Sequence, residues 1–315
     1  MKVLIIGAAG FVGSYLIRHL KDDWHWVVAA TKMPQESIAV LDIDTYDLNI
    51  LDKNSVLQLF QNVHPDAIIH LAAQSSVGLS WKNPDLTIDV NIKGSIHVLE
   101  SIRELDYKPR LLLIGSGEEY GHVMPEETPI NEYQVLRPGN VYAATKACQN
   151  MLGKIYADAY QMDVVSVRAF NHIGPNQAPL FVVSDFCKQV AEIEAGLQKP
   201  VIYVGNLNAA RDFLDVRDVV RAYALLIQHG IAGETYNVGS GHAIKIEIIL
   251  KTIIEYSTSS IQIREDPSRY RPVDIPVIEA NIEKLCRCTG WKAKFNLNET
   301  ILDVLNYWRK VMGVK

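Results

Sequence analysis

Tyr142-Ala-Ala-Thr-Lys146 sets a phenol and an ammonium four residues apart. On a helix that spacing puts both side chains on one face. A neighbouring cation favours phenolate, so Lys146 is expected to lower the Tyr142 pKa from about 10 toward neutrality and make the phenol a tunable proton donor and acceptor. An amphipathic helix would give the same spacing with no chemistry attached. Upstream, Ser116 offers a hydroxyl that could steady an oxygen on which negative charge develops.

A second chemical element stands at the start of the chain. Val3-Leu-Ile-Ile-Gly-Ala-Ala-Gly-Phe-Val-Gly13 breaks an apolar run with three glycines in the spacing G-x-x-G-x-x-G. Between a strand and a helix, Gly7 would permit the tight turn, Gly10 the close approach of a pyrophosphate, and Gly13 the close packing of helix on strand. Free N–H groups at the helix start, around Phe11 and Val12, face an anion with the helix dipole behind them. The next strand ends in Ala29-Ala-Thr-Lys-Met33, with Thr31 and Lys32 but no acid for a ribose diol. That pattern favours NADP(H) over NAD(H), the alternative being a Lys32 that points into solvent. As a secretion signal the opening is poor, because glycine interrupts the apolar run and no convincing small-residue cleavage site follows.

These groups need elements to hold them. Lys2–Ile6, Trp26–Thr31, Ala67–Ala72, Arg110–Gly115 and Val164–Phe170 read as strands covered on both faces. Helical patterns at Val12–Leu20, Ser55–Val63, Pro84–Leu105 and Asn140–Gln161 alternate with them. The alternation predicts right-handed βαβ crossovers and an α/β, Rossmann-type, doubly wound parallel sheet. After Phe170 come a helix near Val182–Ala195, a strand Val201–Gly205, a helix Val216–His229, and a strand Glu234–Val238 that could rejoin the sheet. The tail from Gly241 reads as two helical stretches around a proline-rich extended segment, 266–276. The expected division is a dinucleotide-binding domain of 1–170 plus about 212–240, and a smaller C-terminal α/β substrate lobe of 171–211 plus 241–315.

The chain has 315 residues, 48% of them hydrophobic, with 36 acidic against 31 basic side chains. That is enough for a large core and a smaller lobe, and the acidic balance gives no field for nucleic acid or an anionic membrane. No uncharged stretch approaches the ~18 residues of a membrane span. The four cysteines lack metal spacing, so no metal is expected, and reduced thiols in a cytoplasm fit them.

The motifs taken together resemble the extended short-chain dehydrogenase/reductases that modify nucleotide sugars, over nearly the whole length. The matching residues are the glycine turn, Asp47-Leu48, His70-Leu-Ala-Ala-Gln74, Gly115-Ser-Gly-Glu-Glu-Tyr-Gly121, Tyr142 with Lys146, Arg168-Ala-Phe-Asn171, Gly174-Pro175, Arg211-Asp212 and Arg271-Pro272. The resemblance implies that Asp47 and Leu48 border the adenine and that Leu71, Ala72, Ala73 and Gln74 line the cofactor cleft. It implies that Asn171, Arg211 and Arg271 meet a sugar-nucleotide diphosphate, with Ser75, Glu118 and Lys188 also on the substrate side.

Within the family the likeness runs to the GDP-mannose 4,6-dehydratases and their partner ketoreductases. Dehydratases carry an acid or hydroxyl where this chain has Gly117, so the resemblance implies reduction of the C4 ketone of a GDP-linked 6-deoxy-4-keto sugar. The dehydratase is the alternative. Glu118 matches the dehydratase base, or else bonds a sugar hydroxyl. Asp274 would accept from guanine, or else sits solvated in its loop. A homodimer packed through the Pro84 and Asn140 helices is implied as well. His70 and His172 read as structural.

Overall fold

Apolar runs become strands where both their faces are covered, and the first half of the chain follows this rule. The computed structural model describes residues 1–40, 42–269 and 275–314. Its strands are β1 (Lys2–Ile6), β2 (Val27–Lys32), β3 (Asp44–Asp47), β4 (Ala67–His70), β5 (Arg110–Ser116), β6 (Val164–Ala169), β7 (Asn171–Ile173), β8 (Val201–Val204), β9 (Ala210–Asp215), β10 (Thr235–Val238), β11 (Ala243–Lys245), β12 (Gln262–Glu265) and β13 (Val277–Ile278).

Seven strands form one sheet in the order β10-β6-β5-β4-β1-β2-β3, every neighbouring pair parallel. Val3, Leu4 and Ile5 of β1, Ile68 and Ile69 of β4, and Leu111–Leu113 of β5 are wholly buried. Helices cover both faces. Leu16, Ile17, Val220, Tyr223 and Trp291 pack on one, and Val56, Phe60, Val98 and Leu99 on the other. The chain runs outward from β1 through β2 to β3, then returns to β4 and runs outward the other way. The crevice of such a sheet opens at the carboxyl ends of β1 and β4, where the order reverses.

A second group of strands is built around β9, which pairs antiparallel with β11 and parallel with β13 and β7, while β8 and β12 form a separate parallel pair. Its core gathers Phe186, Val190, Ile202, Ile249, Leu250 and Trp308 from β8 and the helices Val182–Glu194, Ile246–Glu255 and Leu297–Met312. Asp215 ends β9 and caps the helix Val216–His229, while its carboxylate also holds Arg217 and accepts from Thr300 Oγ1 at 2.7 Å. A buried carboxylate with that many donors ties the end of β9 to the helices Val216–His229 and Leu297–Met312.

Two details differ from the sequence reading and one expectation holds. The predicted Pro84–Leu105 helix forms as an uninterrupted helical run from Pro84 to Arg103 whose middle, Asp89–Lys93, winds as a π turn, and a separate helix, Val77–Lys82, precedes it, with Asn83 and Ser76 as the respective caps. After the proline-rich segment two helices follow, Glu283–Thr289 and Leu297–Met312. The strand expected at Glu234–Val238 does rejoin the sheet, as β10 beside β6.

Candidate active site

Strand β5 delivers Ser116 to the open end of the sheet, and the chain then turns through a single 3-10 turn, Gly117–Tyr120. The Ser116 hydroxyl accepts from the Glu118 N–H at 3.2 Å. The adjoining helix Val141–Tyr160 is capped by Asn140, whose Oδ1 accepts from the Ala143 N–H at 2.8 Å. Its first turn carries Tyr142 and its second Lys146, so Ser116, Tyr142 and Lys146 converge. The Ser116 side chain neighbours the Tyr142 phenol and acts to lower its pKa. Lys146 Nζ donates to Ile114 O at 2.7 Å and to Gln149 Oε1 at 3.0 Å.

The electrostatics of this cluster reverse one expectation. Lys146 turns to β5 rather than lowering the phenol. Burial, with Glu118 and Glu119 behind it, pushes the Tyr142 pKa above its ordinary value, and the Ser116 hydrogen bond opposes the rise. Burial also pulls the Lys146 ammonium down to about 8, against the attraction of Glu119. At neutral pH the phenol therefore holds its proton and the lysine most of its charge, the state a proton donor needs.

Three glycines shape the crevice. Gly7 sits at φ +80°, and a Cβ there would lie 2.6 Å from Ala72 Cα. A Cβ on Gly13 would strike the Ala8 carbonyl, whereas Gly10 has nothing nearer than Gly7 O at 3.7 Å. Two glycines thus close the turn while Gly10 leaves its backbone open, a cradle that fits the pyrophosphate of a dinucleotide. Phe11 and Val12 open the helix behind it, and Phe11 stacks on His172 at 6.0 Å. Thr31 is buried, and its Oγ1 accepts from the Gly7 N–H at 3.1 Å. Lys32 pairs with Asp47 across the ends of β2 and β3 rather than pointing into solvent.

Leu48 packs into the core, and its N–H bonds Lys32 O. Leu71 and Ala72 both donate to Ile6 O, which holds them and Ala73 at the crevice. Gln74 is occupied as a scaffold: its side chain donates to Ser76 O and Thr87 Oγ1 and accepts from the Ser76 N–H. His70 is buried and neutral, pulled down to about 3 by burial and by Lys146.

The residues expected on the substrate side lie on β7, β9, the helix Val182–Glu194, the loop after β4 and the turn after β5. Asn171 Nδ2 donates to Asp212 O at 3.2 Å, and Arg211 donates to Ala210 O and Ile275 O. Lys188 pairs with Glu192 and lies over the Trp308 ring. Ser75 is exposed in the loop after β4, and Glu118 is half-buried beside Asn140. Asp212 is a structural staple, accepting from Ser240, Gly241 and Ala280. Arg271 and Asp274 lie outside the described residues. Among the described residues, no grouping of His, Cys, Asp or Glu could hold a metal ion, and no helix is long and apolar enough to cross a membrane.

Sequence reasoning missed the buried polar layer under the site. Asn91, on the π turn, accepts from the Gln74 N–H and donates to Thr145 Oγ1 at 2.9 Å. Gln149 joins Lys146 to Ile114, and Glu119 pairs with Arg168 and Asn150. A polar residue recurring on the buried face of the Tyr142 helix was the available signal.

The family model for GDP-mannose 4,6 dehydratase matches residues 4–304. The chain is 32% identical to the GDP-6-deoxy-D-mannose reductase of Pseudomonas aeruginosa, covering 98% of this chain and 97% of that one. Among solved structures it is similar to Pseudomonas aeruginosa RMD complexed with NADPH, with a TM-score of 0.88 and 30% identity over 98% of this chain and 99% of that one. A Thermus thermophilus UDP-glucose 4-epimerase complexed with NAD matches with a TM-score of 0.88 and 29% identity, again over 98% and 99% of the two chains.

Proposed function

The chain belongs to the GDP-mannose 4,6 dehydratase family of nucleotide-sugar enzymes, and from that footing we propose that it reduces the C4 ketone of GDP-4-keto-6-deoxy-D-mannose to GDP-D-rhamnose. The observation that carries this reading is the turn after β5. Two neighbouring hydroxyls, Ser116 and a Tyr142 whose proton is held firmly, stand at the turn that contains Gly117, which has no side chain to assist an elimination. A bound reduced nicotinamide would supply the hydride to C4. Tyr142 gives its proton to the oxygen that gains charge, and Ser116 hydrogen-bonds that oxygen, with the Lys146 ammonium held one helical turn away on Ile114 O and Gln149 Oε1.

The glycine cradle with Thr31, Asp47 and the Leu71–Gln74 segment would hold the dinucleotide. Lys32 at the ribose end supports NADP(H), as does the NADPH complex of the Pseudomonas relative, while the epimerase complex supports NAD(H) as a second cofactor. We assign the dinucleotide to 1–170 plus about 212–240 and the sugar nucleotide to 171–211 plus 241–315. Asn171, Lys188, Arg211 and Arg271 would face the diphosphate, and forked guanidinium donors suit phosphate oxygens. Ser75 and Glu118 would face the sugar, and Asp274 the base. The exposed Trp81, Ile88, Met151 and Ile155 support a homodimer through the Pro84 and Val141 helices.

Glu118 favours a second reading, the 4,6-dehydratase, because its carboxylate acts on Tyr142 and stands where a base would be needed. Supplying the purified chain with GDP-mannose and no reduced cofactor separates the two. The reductase leaves that substrate untouched and converts the keto sugar once NADPH or NADH is added. Formation of the 4-keto-6-deoxy product from GDP-mannose alone decides for the dehydratase.

A further inference from the structure

Behind Ser116 lies a charged group that the proposed chemistry does not use. Glu119 has no exposed surface. Its carboxylate accepts from the Ser116 N–H at 2.8 Å, from Asn150 Nδ2 at 2.8 and 2.7 Å to its two oxygens, and from Arg168 Nε at 2.9 Å. All of these partners are N–H donors, as an ionised carboxylate requires. Burial pushes the Glu119 carboxyl up, and Arg168 with the donated hydrogen bonds pulls it back. Asn150 leaves its own Oδ1 without a partner, so the carboxylate sets the amide's orientation.

The three anchors belong to different elements. Ser116 ends β5, Asn150 lies on the helix of Tyr142 and Lys146, and Arg168 lies on β6 in register with Gly115. Gly115 is part of the arrangement, because a Cβ there would overlap Glu119 Oε1. Arg168 extends the clamp to the Tyr120 hydroxyl at 3.0 Å, and that hydroxyl donates to Asn237 Oδ1 on β10 at 2.6 Å.

We propose that Glu119 is a positioning residue: its carboxylate, clamped by Arg168 and Asn150, holds the Ser116 backbone so that the Ser116 hydroxyl meets Tyr142, and keeps β5 in register with the helix that carries Tyr142 and Lys146. The proposal rests on the reductase reading for its turnover assay alone. Its charge also reaches the site. The ionisable groups facing Lys146 are Tyr142 on its own helix, Glu119 in the turn, His70 on β4, and Arg168 behind Glu119. His70 is neutral, so Glu119 is the charge whose attraction opposes the downward pull of burial on Lys146.

Two variants test it. Glu119→Gln keeps an acceptor for the Ser116 N–H but removes the charge. The paired Glu119→Val with Arg168→Leu removes the clamp without leaving a lone buried charge, which protects the fold. Both should lower kcat by about tenfold to a hundredfold, the cost of a misplaced catalytic group, with KM and NADPH affinity unchanged.

The second readout needs no substrate. In 13C-lysine NMR, with the Lys146 Cε signal assigned through Lys146→Arg, the titration midpoint should fall by about one pH unit in Glu119→Gln. Glu119→Asp, which keeps the charge, should leave it in place. A wild-type chain that leaves the keto sugar unreduced while this midpoint still falls sinks the reductase reading and upholds the clamp. Wild-type turnover in the folded paired variant, or an unmoved midpoint in Glu119→Gln, overturns the clamp.

Discussion

At the scale of single residues the site is a proton store. Tyr142 is nearly buried, and its pKa is raised mainly by loss of water, so the phenol stays loaded through the physiological range. Tyr142→Phe removes one oxygen and no packing volume of note. It should lower turnover about a hundredfold to ten-thousandfold while NADPH binding, followed by quenching of protein fluorescence, stays the same. Lys146 sets the pH limit. Its ammonium is held at about 8, below the ordinary lysine value, so the charged form persists below that pH and is lost above it. The reductive kcat should therefore be level from neutral pH to about 8 and decline beyond. A profile that rises through pH 8 would assign Lys146 another role.

At the scale of elements, the difference between what was legible and what was not follows from where each signal lives. Strands β1, β4, β5 and β6 were legible because both faces are buried, which forces continuous Val, Ile and Leu. The pair Tyr142 and Lys146 was legible because helical spacing is a local property. Strand β3, Asp-Thr-Tyr-Asp at the sheet's exposed edge, carries no apolar pattern at all. Strand β9, Ala-Arg-Asp-Phe-Leu-Asp, buries its acids on tertiary partners that no sequence window contains. The Glu119–Arg168 clamp was hidden for the same reason, since one half comes from the turn after β5 and the other from β6. The first turn offers the sharpest test at this scale. Gly13 leaves no room for a Cβ against the Ala8 carbonyl, so Gly13→Ala must push the helix Phe11–Arg18 away from the turn that carries Ala8. The thermal midpoint should fall by several degrees, as a cost of about 1–3 kcal/mol implies. NADPH affinity should fall with it. An unchanged midpoint in differential scanning fluorimetry would show that the contact relaxes freely.

At the scale of the whole molecule, the helix that carries Tyr142 and Lys146 also carries an apolar surface. Met151 is 60% exposed and Ile155 54%, four residues apart and so on one face, away from the buried Tyr142, Lys146 and Asn150. The neighbouring helices add Trp81, Leu86 and Ile88, all exposed. Each such side chain withdrawn from water contributes about 1.5–3 kcal/mol, and a two-fold axis counts every one twice. A second copy of this chain is thus the partner proposed for that face. The expected behaviour is a dimer by light scattering and a thermal midpoint that rises with protein concentration. Met151→Glu with Ile155→Glu would place four carboxylates across the axis, where like charges repel and lose solvent. The double variant should run as a monomer with a concentration-independent midpoint and a lower kcat, because the helix holding Tyr142 loses its outer support. A dimer that survives both charges would place the interface elsewhere.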